Sequence, residues 1–351
     1  MGETRRIGTK PDIKGGRYMQ ISTFKGFAVA GAVAFSGGAA QSQDITWDLA
    51  LFGSPAFRVA GEAFADYVNE NSGGKMEITV HNGTLSPSTE ILDNVSIGAF
   101  ELGYVISSYH PGKNPLISVL DLPFLPIETM EERRDLSEAL FQNEDVAKEF
   151  AGWNAVPIMT VVLPNYEIMG KGEAPQKLED FSGMRIKATS GIGDALALYG
   201  VSLVPLSGSE QYNALQTGVI DAASATPSGL GGWKLFEISD WYTVGMEAGA
   251  AHVTMVGNAA AYEALPDDMK ALINDAKAFA YAESIKAQSE AGASYEPELV
   301  SRGLVRVDIP ADMVAELRSE AAKPVWDAYV ADLEAKGLPG GEMLDFVLNW
   351  K

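Results

Sequence analysis

LEDFSGMRIKATSGIGDALALYGVSLVPLSGSEQYNALQTGVIDAASATPSG, residues 178–229, is the stretch from which the fold can be read. Met184 to Ala188 alternates apolar and basic residues as a strand does, and Thr189, Ser190, Gly191 and Gly193 read as a tight turn into an apolar helix from Asp194 to Tyr199. Gly200 ends that helix and Val201 to Pro205 is a short strand. Ser207, with Glu210 three residues later, forms a capping box for a second helix that stops at Gly218, and Val219 to Ser224 returns as a third strand. Two successive strand–helix–strand crossovers require parallel strands, because a short hairpin cannot join parallel neighbours. Ligands of such sheets sit beyond the carboxyl ends of the strands. Lys187, Thr189 and Ser190 lie at one such end, Ser224 and Thr226 at another.

The same order opens the chain. Ile45 to Phe52 alternates as a strand, Phe57 to Asn71 carries apolar residues near helical spacing, and Lys75 to His81 is a second strand. Ser86-Pro87 starts a helix running to about Ile97, and Glu101 to Ser107 is a third strand. Charge-rich helical text from Glu128 to Phe150 leads to a strand at Val156 to Leu163. Asp267 to about Gly292 reads as one long helix with Pro266 at its start and acids in its first turn, and two further helices follow near Ala311 to Lys336 and Glu342 to Trp350. Both halves are therefore expected to be α/β, and no internal repeat or low-complexity linker separates them.

Met19 to Ser42 has the three parts of a secretory signal peptide: Lys25, an apolar run from Gly26 to Phe35, and small residues at Ala39, Ala40 and Ser42. The run is short of the roughly 20 residues needed to span a bilayer, and Met19 is read as the start of that signal. Removing residues 1–42 leaves 20 basic and 45 acidic residues of the 26 and 47 in the whole chain, so the net charge moves from −21 to −25. An acidic surface of this kind argues against nucleic acid and anionic lipid as partners. With no cysteine, disulfides, thiolate metal sites, a cysteine nucleophile and a lipid anchor at the signal junction are all excluded. The expected location is a Gram-negative periplasm.

Gly183-Met-Arg-Ile-Lys187 followed by Ser209-Glu210-Gln-Tyr212-Asn-Ala214-Leu-Gln-Thr-Gly218-Val-Ile-Asp221 resembles the solute-binding proteins of tripartite ATP-independent periplasmic (TRAP) transporters, the DctP-like family. Phe64-Ala-Asp-Tyr-Val, Ser72-Gly-Gly-Lys-Met-Glu-Ile, Gly98-x-x-Glu-Leu-Gly103 and Val119-Leu-Asp-Leu-Pro-Phe-Leu125 extend the similarity from Asp44 to roughly Glu334. Leu235-Phe-Glu-Ile is similar to the strand by which the family's chain leaves its second lobe. The resemblance implies a two-lobe α/β periplasmic binding protein, type II-like, with a long helix spanning both lobes. It divides the chain into 1–42, a lobe mainly of 43–163, a lobe mainly of 164–250, and a long helix with packing helices in 251–351. It also implies a small-molecule ligand, partnership with the small and large membrane subunits of a permease, and no cofactor.

The binding residues implied by the resemblance depart from the usual pattern. Most members clamp a carboxylate with an arginine that matches Lys187 here, and lysine can replace it only as a point charge without the two-pronged fork. A second family arginine aligns with Glu167, which favours an amine-bearing group unless it neutralises Lys187 or faces solvent. Ala225 and Gly208 stand where many members have asparagine and phenylalanine. Tyr109, Tyr166 and Trp233 are candidate aromatic walls, or core, and Ser107, Ser224 and Thr226 are candidate polar contacts at strand ends. The expected ligand is a small organic acid, or a zwitterion or amine.

Other chemistries find little support. His81, His110 and His252 are isolated, without metal-ligand spacing, and neither a G-x-S-x-G elbow nor a phosphate loop occurs. Gly191-Ile-Gly193 lacks the third glycine of a dinucleotide fingerprint. The competing readings are a periplasmic enzyme using Glu167 and Lys187 as base and acid, and a ligand sensor for a membrane kinase.

Overall fold

The computed structural model describes residues 45–110 and 112–350, so the signal peptide expected at Met19 to Ser42 lies outside the described residues. The chain opens β1 (Ile45–Leu51), α1 (Pro55–Asn71), β2 (Met76–Asn82), α2 (Ile91–Ser96), β3 (Leu102–Ile106), then α3 (Met130–Phe141), α4 (Glu144–Ala151) and β4 (Ala155–Thr160). A second run follows: β5 (Glu167–Gly170), β6 (Arg185–Lys187), α5 (Ser190–Ala197), β7 (Ser202–Leu203), α6 (Gln211–Thr217), β8 (Ala222–Ala225), α7 (Pro227–Gly232) and β9 (Trp241–Val244). The remainder is β10 (Val253–Asn258), α8 (Ala259–Glu263), α9 (Asp267–Ser301), β11 (Val305–Asp308), α10 (Ala311–Glu316), a π-helical turn at Leu317–Ala322, α11 (Lys323–Ala335) and α12 (Gly340–Leu348).

These strands form two sheets, ordered β2-β1-β3-β10-β4 and β11-β9-β5-β8-β6-β7. β1 runs parallel to β2 and β3, and β6 runs parallel to β7 and β8, as the crossovers require. The first sheet belongs to one lobe and the second to the other. The chain passes between them at 161–166, at 245–252 and along α9, so residues 251–351 lend a strand to each sheet as well as supplying helices. β3 and β8 are buried along their whole length, the mark of strands covered on both faces.

α9 holds the lobes together. Its 35 residues make a rod about 50 Å long. Met269, Ile273, Ala276 and Ala280 are buried near its start, where it packs on α1 and α3, and further along it meets α7. A Cβ at Gly231 of α7 would lie 2.2 Å from the ring of Tyr295, so the absence of a side chain there lets the two helices touch. The C-terminal segment is a second strap: Val314, Leu317 and Ala321 share a core with Ile192 and Leu196 of α5, whereas Leu333, Met343 and Val347 belong to a core of the first lobe. Trp326 Nε1 donates to the Pro123 carbonyl at 2.9 Å and the Tyr329 hydroxyl to that of Leu116 at 3.0 Å.

Several local expectations need correction. α5 begins at Ser190 with Thr189 as its cap, not at Asp194, so Gly191 and Gly193 are inside the first turn. The helix expected from Ser86-Pro87 starts only at Ile91. Leu235–Glu237 is a 3-10 turn, because Lys234 before it takes a left-handed conformation (φ 58°) that breaks extension; the strand is β9, four residues further on. Glu210 accepts from the backbone N–H and the hydroxyl of Ser207, but Ser207 gives no side-chain cap in return and the helix starts at Gln211. α9 continues nine residues past Gly292, to Ser301, with Pro297 inside it.

Candidate functional site

Lys187 is the last residue of β6, at the carboxyl end to which a parallel sheet brings its ligands. Alternation along the strand buries Ile186 in the core and puts Arg185 and Lys187 on the other face. Arg185, at the outer end, is exposed and held by Asp221 through two hydrogen bonds of 3.1 and 2.7 Å. Lys187 is only 4% exposed and makes no hydrogen bond or ion pair with any described residue. The register explains why. Lys187 pairs with Ala223 of β8, so Ala223 and Ala225 share its face and offer only methyl groups to its charge. Burial pushes the ammonium down to about 8.

Lys187 opens onto a cavity of 370 Å³ between the lobes. Phe52, Ser54, Phe57 and Tyr109 line it from the first lobe, and Thr189, Gly208, Ala225, Thr226 and Trp233 from the second. Tyr166, in the 161–166 crossing, lines it too; its hydroxyl lies against Thr189 and the backbone of Ala251, and burial keeps the phenol protonated. The lobes touch around this space. The Tyr109 hydroxyl reaches the backbone of Gly208, and a Cβ on Gly232 would lie 2.7 Å from that of Ser54. Trp233 rests on Gly208, where a Cβ would come within 2.7 Å of the indole, so the glycine makes the space the ring occupies. A wider groove of 1180 Å³ adjoins the cavity, sharing Tyr109, Thr189 and Ser207 with it.

The sequence-derived candidates divide accordingly. Lys187, Tyr166, Tyr109, Thr226 and Trp233 line the cavity together. Thr226 does so while capping α7, its Oγ1 accepting from Gly229 N at 3.0 Å. Ser107 lines the wider groove instead. Ser224 is fully buried and lines neither space, because alternation along β8 turns it to the face opposite Ala223 and Ala225. Glu167 also falls outside both linings. Its carboxylate is drawn aside by the returning chain, accepting from Thr243 Oγ1 at 2.7 Å and from the N–H groups of Gly245 and Met246 at 2.8 and 3.3 Å. The acid–base pair of an enzyme reading is therefore not assembled in the cavity, and the reason for expecting an amine is removed. Phe52, Ser54 and Phe57 were missed, although they follow from the same strand-end rule applied to β1.

Burial raises the Glu167 pKa while three donors oppose that rise. Glu167→Gln removes an acceptor oxygen from the strand-to-turn tie and is expected to destabilise the protein by about 1–3 kcal/mol without weakening ligand binding. Chemical denaturation and calorimetry check both halves.

The other titratable groups have partners or burial of their own. Arg133, also buried, lies near Tyr166 and Asp121 and does not line the cavity. His252 donates or accepts at Thr254 Oγ1 (3.0 Å), His81 contacts Asp48 (2.7 Å), and burial pushes His110 down to about 4. Among the described residues no group of three or more His, Cys, Asp or Glu could hold a metal ion.

Two α/β lobes on a common helix, closing over an interlobe cavity with a charged residue at a strand end, define a solute-binding protein. Residues 52–332 match the family described as bacterial extracellular solute-binding protein, family 7 (DctP), and the chain belongs to that family. It is 21% identical over 323 residues to the 2,3-diketo-L-gulonate-binding periplasmic protein YiaO of Escherichia coli K12, covering 89% of this chain and 93% of the relative. It is 25% identical over 295 residues to the ectoine-binding periplasmic protein TeaA of Halomonas elongata, covering 82% and 84%. Among solved structures, a pyroglutamate-specific TRAP solute-binding protein from an unidentified marine microbe superposes with a TM-score of 0.76 at 26% identity, covering 87% of this chain and 99% of the other. The resemblance read from Ser209 to Asp221 and the expected two-lobe fold are thereby borne out.

Proposed function

We propose that this protein is the periplasmic receptor of a TRAP transporter, that it captures a small organic acid in the interlobe cavity, and that it delivers the acid to a membrane permease. The observation carrying this reading is Lys187, a buried ammonium that, among the described residues, has no partner and faces a cavity whose wall holds no acidic side chain. Such a charge is costly until an anion joins it, so the site favours a carboxylate. Relatives support the class: the named ligands of YiaO and of the marine protein are small organic acids. Closure of two lobes on a solute touching both gives a state that a membrane partner can distinguish from the open one.

Thermal unfolding against a panel of small carboxylates and amines tests the reading. A carboxylate at about a hundredfold its Kd adds about 2.7 kcal/mol of stability; protection by amines alone overturns it. Affinity is also expected to depend on pH in a particular direction. With Lys187 at about 8, roughly nine-tenths of the free protein is protonated at pH 7. Binding an anion stabilises the ammonium, so complex formation takes up protons. Calorimetry is expected to show a nearly flat Kd from pH 6 to 7.5 and a loss of about tenfold per unit above 8. A Kd constant to pH 9 would remove Lys187 from the role.

A further inference from the structure

The cavity lining has a composition narrower than "organic acid" requires. Among the described residues Lys187 is the one charged side chain lining it. Aromatic rings bound the space from both lobes. In the first, Phe52 stacks on Tyr109 with centroids 6.4 Å apart and planes at 23°, and Phe57 leans on Phe52 at 5.7 Å. In the second, Trp233 occupies the room left by Gly208. Most of the cavity's hydroxyls are already engaged within the protein: Thr226 with Gly229 and Ser228, Ser207 with Glu210 and Ser209, and Ser86 with Pro87 and Asn94. Ser88 and Ser54 have no side-chain hydrogen bond to a described residue, and the buried one of the two is Ser54. It is 2% exposed, its Oγ has no hydrogen-bond partner, and it lines the cavity just before α1.

We propose that the ligand is a monocarboxylate with a flat ring for a body and one uncharged hydrogen-bonding group on that ring. Its carboxylate meets Lys187, its ring packs among Phe52, Tyr109 and Trp233, and its polar group satisfies Ser54. This rests on the cavity being the solute site. A second carboxylate would enter without a second cation and stay desolvated and unpaired. A polyhydroxylated acid would set most of its hydroxyls against ring faces and hydroxyls that already have partners. A flat ring gains from stacking geometry, and at 370 Å³ the space is near the lower end of small-molecule pockets, about 300–1,000 Å³.

The test is calorimetry of the full protein with nicotinate, 4-hydroxybenzoate, benzoate, glutarate and gluconate, on wild type, Ser54→Ala and Trp233→Leu. One of the two substituted ring acids is expected to bind at least about tenfold tighter than benzoate, glutarate or gluconate, a difference of one polar contact or one unpaired charge. Ser54→Ala is expected to erase the preference over benzoate while leaving benzoate affinity unchanged, and Trp233→Leu to weaken all three ring acids together. Tightest binding by glutarate or gluconate overturns this inference and leaves the organic-acid receptor standing. A Ser54→Ala protein that keeps the full preference over benzoate also overturns it. Failure of every acid to bind overturns both.

Discussion

Lys187→Met is expected to yield a protein that unfolds at a higher temperature than the wild type in the absence of ligand, yet has lost its ligand. The ammonium is brought from its ordinary value of 10.5 to about 8 by desolvation alone, which corresponds to on the order of 3 kcal/mol against the charged form in the folded state. Methionine is of similar length, unbranched and apolar, and recovers part of that cost, about 1–3 kcal/mol or several degrees in a protein of this size. Because the folded-state pKa lies below the unfolded one, the penalty is full below about pH 8 and fades as pH rises toward 10.5. The melting difference between variant and wild type should therefore shrink between pH 7 and pH 10. Binding moves the other way. The variant loses a charge-assisted hydrogen bond of about 1.5–3 kcal/mol and leaves the carboxylate buried and unpaired, a combined loss of at least about a hundredfold. A variant less stable than wild type across this range, or one that still binds, would show that the ammonium has a structural role instead.

The second large effect is expected at Gly191, on the first turn of α5. A Cβ there would stand 2.2 Å from Cδ and 2.3 Å from N of Pro123, and 2.7 Å from the Asp121 carbonyl oxygen. These atoms belong to the other lobe, and two of the three are backbone. They are also anchored: Trp326 holds the Pro123 carbonyl, and Asp121 accepts from His252 N–H at 2.5 Å. They cannot give way cheaply, so Gly191→Ala forces the lobes apart at this point. A wider angle between the lobes would relieve the collision. Affinity should fall by a factor of about ten to a hundred, the equivalent of about 1.4–2.8 kcal/mol taken from the closed state. Unfolding of the unliganded protein should change little, and solution scattering in saturating ligand should report a larger radius than wild type. Wild-type affinity in this variant would mean that closure does not need the Gly191–Pro123 contact.

Gly191 also illustrates what the sequence could and could not disclose. The alternation of Met184 to Ala188 and the helical spacing beyond it are local signals, and they led to the parallel β6-β7-β8 arrangement without reference to anything distant. The glycines of 191–193 read locally as a turn. For Gly191 the actual reason is a neighbour far away in sequence, Pro123, whereas Gly193 meets nearer ones, the side chains of Ala188 and Leu203, each 3.3 Å from where a Cβ would stand. The place of Lys187 on the cavity wall was legible because a strand end and a family pattern coincide on it. Glu167 lies outside the cavity lining for a physical reason: alternation does place it on the face of Lys187, but the donors that turn its carboxylate aside, Gly245 and Met246, come from a chain return nearly eighty residues later. Ser224 lies one residue of register from Ala223 and Ala225, enough to put it on the opposite face of β8. Ser54 and Phe57 could have been found by asking of β1 what was asked of β6.

The 35-residue helix that both lobes grip has a mechanical consequence. Independent sliding of the lobes would require α1 or α7 to move along a rod whose surface they already fit, and sideways drift is checked by the strap running from α10 through α11. With two further chain crossings between the sheets, at 161–166 and 245–252, the softest coordinate is the angle between the lobes. A solute less than a nanometre across is thus transcribed into the separation of surface points several nanometres apart. Any partner that touches both lobes reads that angle and needs no sight of the solute itself.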